Sequence, residues 1–268
     1  MPSDDKPLAG RVALVTCASR GIGNAVALSL ARAGAHLIAT ARTQGALEEL
    51  DDTVRGETGE AATLVPMDLC APDGIDRLGL AIFERHRRLD ILVHAAGMLG
   101  GLRPLAHVPP ALWDKLLAVN LTSAYRLIRS LEPLLRASDA GRAVFLSCEQ
   151  ARSAQPFWGA YAATKAGMEA MVRSWADEID NSPVRALIVD PGPARTALRL
   201  QAFPGEDRER LTDPAAIGPM IVDLLASADD PGLPAKTLRF SDWREGERGP
   251  SPGRAEGASR PLPEGEED

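Results

Sequence analysis

With 268 residues, 45% of them hydrophobic, the chain carries enough apolar material for one substantial core. A formal net charge of -7 argues against nucleic acid as a partner, because phosphate recognition draws on clustered Lys and Arg; no apolar run approaches the ~20 residues of a membrane span. A polar start, an odd and sparse count of three cysteines, and four histidines without metal-ligand spacing predict a soluble cytoplasmic protein that holds no metal.

Residues 11–16 are a short apolar run rich in β-branched side chains, predicted as a strand buried on both faces. Cys17-Ala-Ser19-Arg20-Gly21-Ile22-Gly23 follows, then an Ala/Leu helix over 24–33 that ends at Gly34. Strand, glycine-bearing turn and helix make a phosphate site, where backbone approaches a pyrophosphate and the helix N-terminus offers free N–H groups. The second strand is predicted at 36–41, with Arg42 just past its carboxyl end. An acid there would grip the 2′-hydroxyl of NAD, whereas an Arg accommodates the 2′-phosphate of NADP. Arg42 and Arg20 together favour NADP over NAD.

A helix over 44–58 leads to a strand at 62–67 and then Asp68-Leu69. Asp68 either hydrogen-bonds an adenine or caps the next helix. That helix, 72–88, ends in Arg85-His86-Arg87-Arg88, cations suited to a helix C-terminus. Residues 90–97 form a fourth strand ending at Ala96-Gly97, where backbone can lie against a ligand. A long helical region over 109–136 contains Asn120, and an Asn in mid-helix is locally unfavourable enough to suggest a specific polar task.

Strand five spans 142–148, and a helix running to about 180 carries Tyr161 and Lys165, four residues apart and so on one helix face. A nearby ammonium favours the phenolate and pulls the Tyr pKa down, which makes the pair a candidate general acid/base. Strand six at 184–189 is closed by Asp190-Pro191-Gly192-Pro-Ala-Arg-Thr196, and elements at 213–226 and 236–240 complete the alternation. Beyond 242 the composition turns to Gly, Pro, Glu and Arg, which predicts a disordered tail over 243–268. The fold expected for 8–242 is a single α/β domain, a doubly wound, Rossmann-like parallel sheet with ligands beyond the strands' carboxyl ends.

In order and spacing these motifs resemble the short-chain dehydrogenase/reductase family. Thr16-Cys-Ala-Ser-Arg-Gly21-Ile-Gly23 is similar to its Thr-Gly-x-x-x-Gly-x-Gly cofactor turn, Ala95-Ala96-Gly97 to the end of its Asn-Asn-Ala-Gly motif, and Pro191-Gly192 with Thr196 to its Pro-Gly-x-x-x-Thr segment. Tyr161 and Lys165 match the catalytic pair, and Asn120 matches the family's helix Asn. The resemblance implies hydride transfer between NADP(H) and a carbonyl or alcohol substrate. Tyr161 would serve as acid/base, Lys165 would lower its pKa and hold the nicotinamide ribose, and Asn120 would support a proton-relay water. It also implies a homodimer or homotetramer formed through the fourth and fifth long helices. Met98, Leu99, Phe157, Trp158, Leu198 and Phe203 are candidates for an apolar substrate pocket.

Three positions depart from the family pattern. Cys148 stands thirteen residues before Tyr161, where the family has its catalytic Ser; Ser147, on the opposite strand face, is no substitute. A thiol is the weaker donor, and the reading of Cys148 as a small buried side chain is preferred to that of a nucleophile. Cys17 replaces the first glycine of the turn, and His94-Ala95 replaces Asn-Asn. The alternative expectation is therefore a catalytically impaired dinucleotide-binding or scaffold protein on the same fold.

Overall fold

The computed structural model describes residues 6–71, 73–153, 155–227 and 237–245. The apolar runs become β1 (Val12–Thr16), β2 (His36–Ala41), β3 (Thr63–Pro66), β4 (Ile91–His94), β5 (Arg142–Leu146), β6 (Arg185–Asp190) and β7 (Thr237–Arg239). They pair in parallel in the order β3-β2-β1-β4-β5-β6-β7. The chain winds outward from β1 in one direction and from β4 in the other, which opens a crevice beyond the carboxyl ends of these two strands.

Period-2 alternation divides the strands between two cores. In β1, Ala13 and Val15 pack with α1 (Gly21–Arg32), α2 (Gln44–Thr58) and residues that later form the eighth helix, while Val12 and Leu14 face the other side. There they meet α3 (Gly74–His86) and the helices on either side of β5. Every β1 residue is buried, as expected for a strand covered on both faces.

The long helix expected over 109–136 is interrupted. It consists of α4 (Pro110–Leu117), a π-helical turn at Ala118–Thr122 and α5 (Ser123–Arg136). Asn120 is fully buried inside that turn, and its tertiary hydrogen bonds account for the local widening. α6 (Gly159–Glu178) carries Tyr161 and Lys165; α7 (Ala197–Ala202) follows β6. The element expected at 213–226 is a 3-10 turn, Pro214–Ala216, followed by α8 (Ile217–Ala226).

Two boundaries differ from expectation at the C-terminal side. β7 stops at Arg239, and α9 (Phe240–Arg244) begins where the strand was expected to continue. Phe240 is buried and stacks on Trp243 at 5.7 Å. The polar composition concealed this two-ring anchor, so the folded chain extends past the expected boundary at 242. The rest of the expected tail, 246–268, lies outside the described residues. No helix among the described residues is long and apolar enough to cross a membrane.

Candidate active site

A cavity of about 1240 Å³ runs along the carboxyl ends of the strands. At one end the turn after β1 wraps the start of α1. Gly23 lies against it: a Cβ there would sit 2.4 Å from the Cys17 carbonyl oxygen. Cys17 has φ 55 and Gly21 φ 58, so the turn does require left-handed backbone at the first glycine position of the pattern. A non-glycine residue there costs roughly 1–2 kcal/mol. Asn24 Nδ2 donates to the Ala18 carbonyl at 3.2 Å and closes the turn. No side chain caps α1, which leaves its first N–H groups directed at the cavity.

Ser19, Arg20, Gly21, Ile22 and Gly23 line this end, together with Arg42 from the end of β2 and Asp68 and Leu69 after β3. Neither Arg20 nor Arg42 has an ion-pair partner among the described residues, and no acid follows β2 at position 42 or 43. Asp68 does not cap α3; its Oδ1 accepts from the Cys70 N–H at 2.9 Å in a local turn. Glycine turn, uncapped helix end and two cations fit the phosphates of a dinucleotide.

Thr16 differs from the rest of the expected set. Its hydroxyl is fully buried and outside the cavity lining, accepting from the Ala95 N–H at 3.1 Å and lying 3.1 Å from His94 Nδ1. His94 Nε2 lies 3.3 Å from Ser123 Oγ, which donates to the Val119 carbonyl at 2.7 Å. Burial, helped by the Lys165 charge, lowers the His94 pKa to about 3. The imidazole is therefore neutral, with Thr16 donating to Nδ1 and Nε2–H donating to Ser123. One histidine thus ties β1, β4 and α5 together in place of the family's amides.

At the other end, α6 brings Tyr161, Lys165 and Glu169 onto one buried face. Lys165 Nζ donates to the Leu146 carbonyl at 2.8 Å, and a Cβ on Gly97 would come within 3.8 Å of that nitrogen. The Cys148 thiol faces the Tyr161 hydroxyl. The Tyr161 pKa moves opposite to expectation. Burial pushes it well above the ordinary phenol range, and the nearby Cys148 and Asp190 add to the rise. Burial likewise lowers Lys165, against opposition from Cys148, Cys17 and Glu169, and raises Cys148. Desolvation, invisible in a sequence, outweighs the charge partners.

Asn120 lies behind the cavity wall. Its Oδ1 accepts from the Met98 N–H at 2.8 Å, and Nδ2 donates to the Met98 carbonyl and to Thr164 Oγ1, both at 2.9 Å. Both amide hydrogens are committed, and the side chain fixes the strand-four loop against α6. Ala96, Gly97, Pro191, Gly192 and Thr196 line the cavity, and Thr196 Oγ1 caps α7 by accepting from the Arg199 N–H at 3.2 Å.

Leu99, Trp158, Tyr161 and Ala202 form a small apolar cluster supported by Leu198 and Phe203. Met98, Leu99, Trp158 and Leu198 face the cavity. Two of the expected pocket residues do not. Phe157, at φ 72, is 58% exposed, and Phe203 supports Trp158 from behind with ring centroids 5.8 Å apart. The Ser147 hydroxyl is committed to Glu169, donating to its Oε1 at 2.5 Å. The sequence reading passed over Glu169 and Arg152. The signal for Glu169 was present: an acid four residues after Lys165 falls on the same helix face. No group of His, Cys, Asp and Glu among the described residues is arranged to hold a metal.

Residues 11–207 match the protein-family model described as short chain dehydrogenase. The chain is 37% identical over 217 residues to the uncharacterized oxidoreductase YciK of Escherichia coli, covering 80% of this chain and 86% of that protein. It is 34% identical over 226 residues to an NADPH-dependent aldehyde reductase-like chloroplastic protein of Arabidopsis thaliana, covering 80% and 82%. Among solved structures, an Escherichia coli short chain dehydrogenase complexed with NADPH superposes with a TM-score of 0.84 at 34% identity, covering 88% of this chain and 98% of that one.

Proposed function

The chain belongs to the short-chain dehydrogenase/reductase family of oxidoreductases, and we propose that it uses NADPH to reduce a moderately apolar aldehyde or ketone, with Tyr161 as general acid. The observation that carries this reading is the buried Tyr161–Lys165 pair at the same sheet edge as the glycine turn. When bound, the dinucleotide supplies the hydride. Arg20 and Arg42 hold its 2′-phosphate, and the α1 N-terminus, Gly21 and Gly23 hold its pyrophosphate. Pro191, Gly192 and Thr196 border the nicotinamide, and Lys165 binds its ribose. NADPH bound to a structural neighbour supports the choice over NADH.

Burial keeps Tyr161 protonated at neutral pH, the state a proton donor needs. The substrate oxygen meets the Tyr161 hydroxyl, with Cys148 as a weak second donor, and Leu99, Trp158, Leu198 and Ala202 cover the rest. Asn120 acts by positioning. A cytoplasmic homodimer or homotetramer, formed through α5 and α6, completes the reading; Tyr125 on α5 is 51% exposed.

Cys17 and Cys148 support a second reading, a dinucleotide binder with little turnover. NADPH consumption against a panel of apolar aldehydes and ketones separates the two. The enzyme reading expects turnover that Tyr161→Phe lowers at least ~10²-fold, with NADPH affinity nearly unchanged. Turnover that survives this substitution removes Tyr161 from the chemistry; absence of turnover on every substrate, with NADPH still bound, favours the binder.

A further inference from the structure

We infer that Arg152 is a positioning residue that locks the Pro191–Gly192 loop against α6 by bridging the carboxylates of Asp190 and Glu169. The inference rests on the reading of that loop as the nicotinamide border. Arg152 follows the 3-10 turn Glu149–Ala151, just after Cys148. Its two Nη atoms contact Glu169 Oε1 and Asp190 Oδ2, whose side chains are 1% and 8% exposed. Glu169 belongs to the helix face that presents Tyr161 and Lys165. Asp190 ends β6 and accepts the Gly192 N–H at 3.0 Å, which shapes the turn at Pro191. One guanidinium therefore spans the catalytic helix and the turn at the far end of the cavity.

The two carboxylates depend on it unequally. Glu169 has a second cation in Arg173, which also donates to Thr237 Oγ1 of β7 at 3.1 Å, and a donor in Ser147. Among the described residues, Arg152 is the cation paired with Asp190. Without it, the buried Asp190 carboxylate lacks a counter-charge, a costly condition that the turn relieves by moving. The Gly192 hydrogen bond does not need that charge, since an Asn at 190 still offers an acceptor oxygen. Loss of Arg152 is therefore expected to be corrected by also removing the charge on Asp190.

The test is a cycle of Arg152→Gln, Asp190→Asn and the double variant, each titrated with NADPH by fluorescence and assayed for kcat and KM. Arg152→Gln is expected to weaken NADPH binding by ~10-fold and to lower kcat, and adding Asp190→Asn to recover most of both losses. Arg152→Lys keeps the charge and is expected to fall between wild type and Arg152→Gln. If Arg152→Gln does not fold, refolding and NADPH binding by the double variant report the same coupling. Independent, additive effects of the two changes, or wild-type binding by Arg152→Gln, overturn the inference. A wild-type chain that fails to bind NADPH overturns the functional reading instead, while thermal unfolding of the four proteins still reports the coupling.

Discussion

A thiol at position 148 donates a weaker hydrogen bond than the hydroxyl the family uses there, and here burial also raises the Cys148 pKa. Loss of one oxyanion-type donor typically costs on the order of 10²–10³ in rate, so Cys148→Ser is expected to raise kcat at least ~10-fold with little change in NADPH affinity. Steady-state kinetics on a substrate that wild type turns over decides it; equal or lower kcat would show that the thiol is adapted to this site. The Tyr161–Lys165 pair was legible from spacing, because a four-residue interval fixes a helix face, whereas the place of Cys148 came from the resemblance to the family pattern. The direction of the Tyr161 pKa was not legible. It depends on how much water the fold removes, and the ring ends up 6% exposed. Cys17 was legible as a misfit, and its φ of 55 shows why.

Elements that form from short apolar runs were legible, and breaks within them were not. The π turn at Ala118–Thr122 leaves the helical hydrophobic pattern intact in sequence, since its cause is the contact of Asn120 with Met98 and Thr164. His94 shows how such a contact becomes a measurable property of the sheet. Folded, its pKa is about 3, against an ordinary value of 6.5. Above pH 6.5 the imidazole is neutral in both states. As pH falls below 6.5, the unfolded chain takes up a proton that the folded chain refuses, and this site lowers stability by about 1.4 kcal/mol per pH unit. Urea unfolding between pH 7 and 5 is expected to show wild type losing stability faster than His94→Asn by that amount. Parallel pH dependences would mean that His94 does not hold β1, β4 and α5 together as a neutral ring.

On the scale of the whole molecule, a chain with a net charge of -7 presents a cavity lined by Arg20, Arg42 and Lys165 at its strand ends. Such a local field draws an anionic dinucleotide in spite of the overall sign. The parallel doubly wound sheet and the crevice beyond its strand ends followed from the alternation of elements; Arg20 and Arg42 stood out by their places in the first turn and at the end of β2. The bridge from Arg152 to Glu169 and Asp190 did not, because its members are separated by 17 and 38 residues and meet only once β5, α6 and β6 have packed.

The most direct test of the account is a fluorescence titration of the folded chain with NADPH and NADH, repeated on Arg42→Ala. Charge-assisted hydrogen bonds contribute roughly 1.5–3 kcal/mol, so NADPH is expected to bind at least ~10-fold more tightly than NADH, with the difference largely removed in Arg42→Ala. Binding of neither cofactor at millimolar concentration would contradict the assignment of this cavity to a nicotinamide dinucleotide, and with it the proposed reduction.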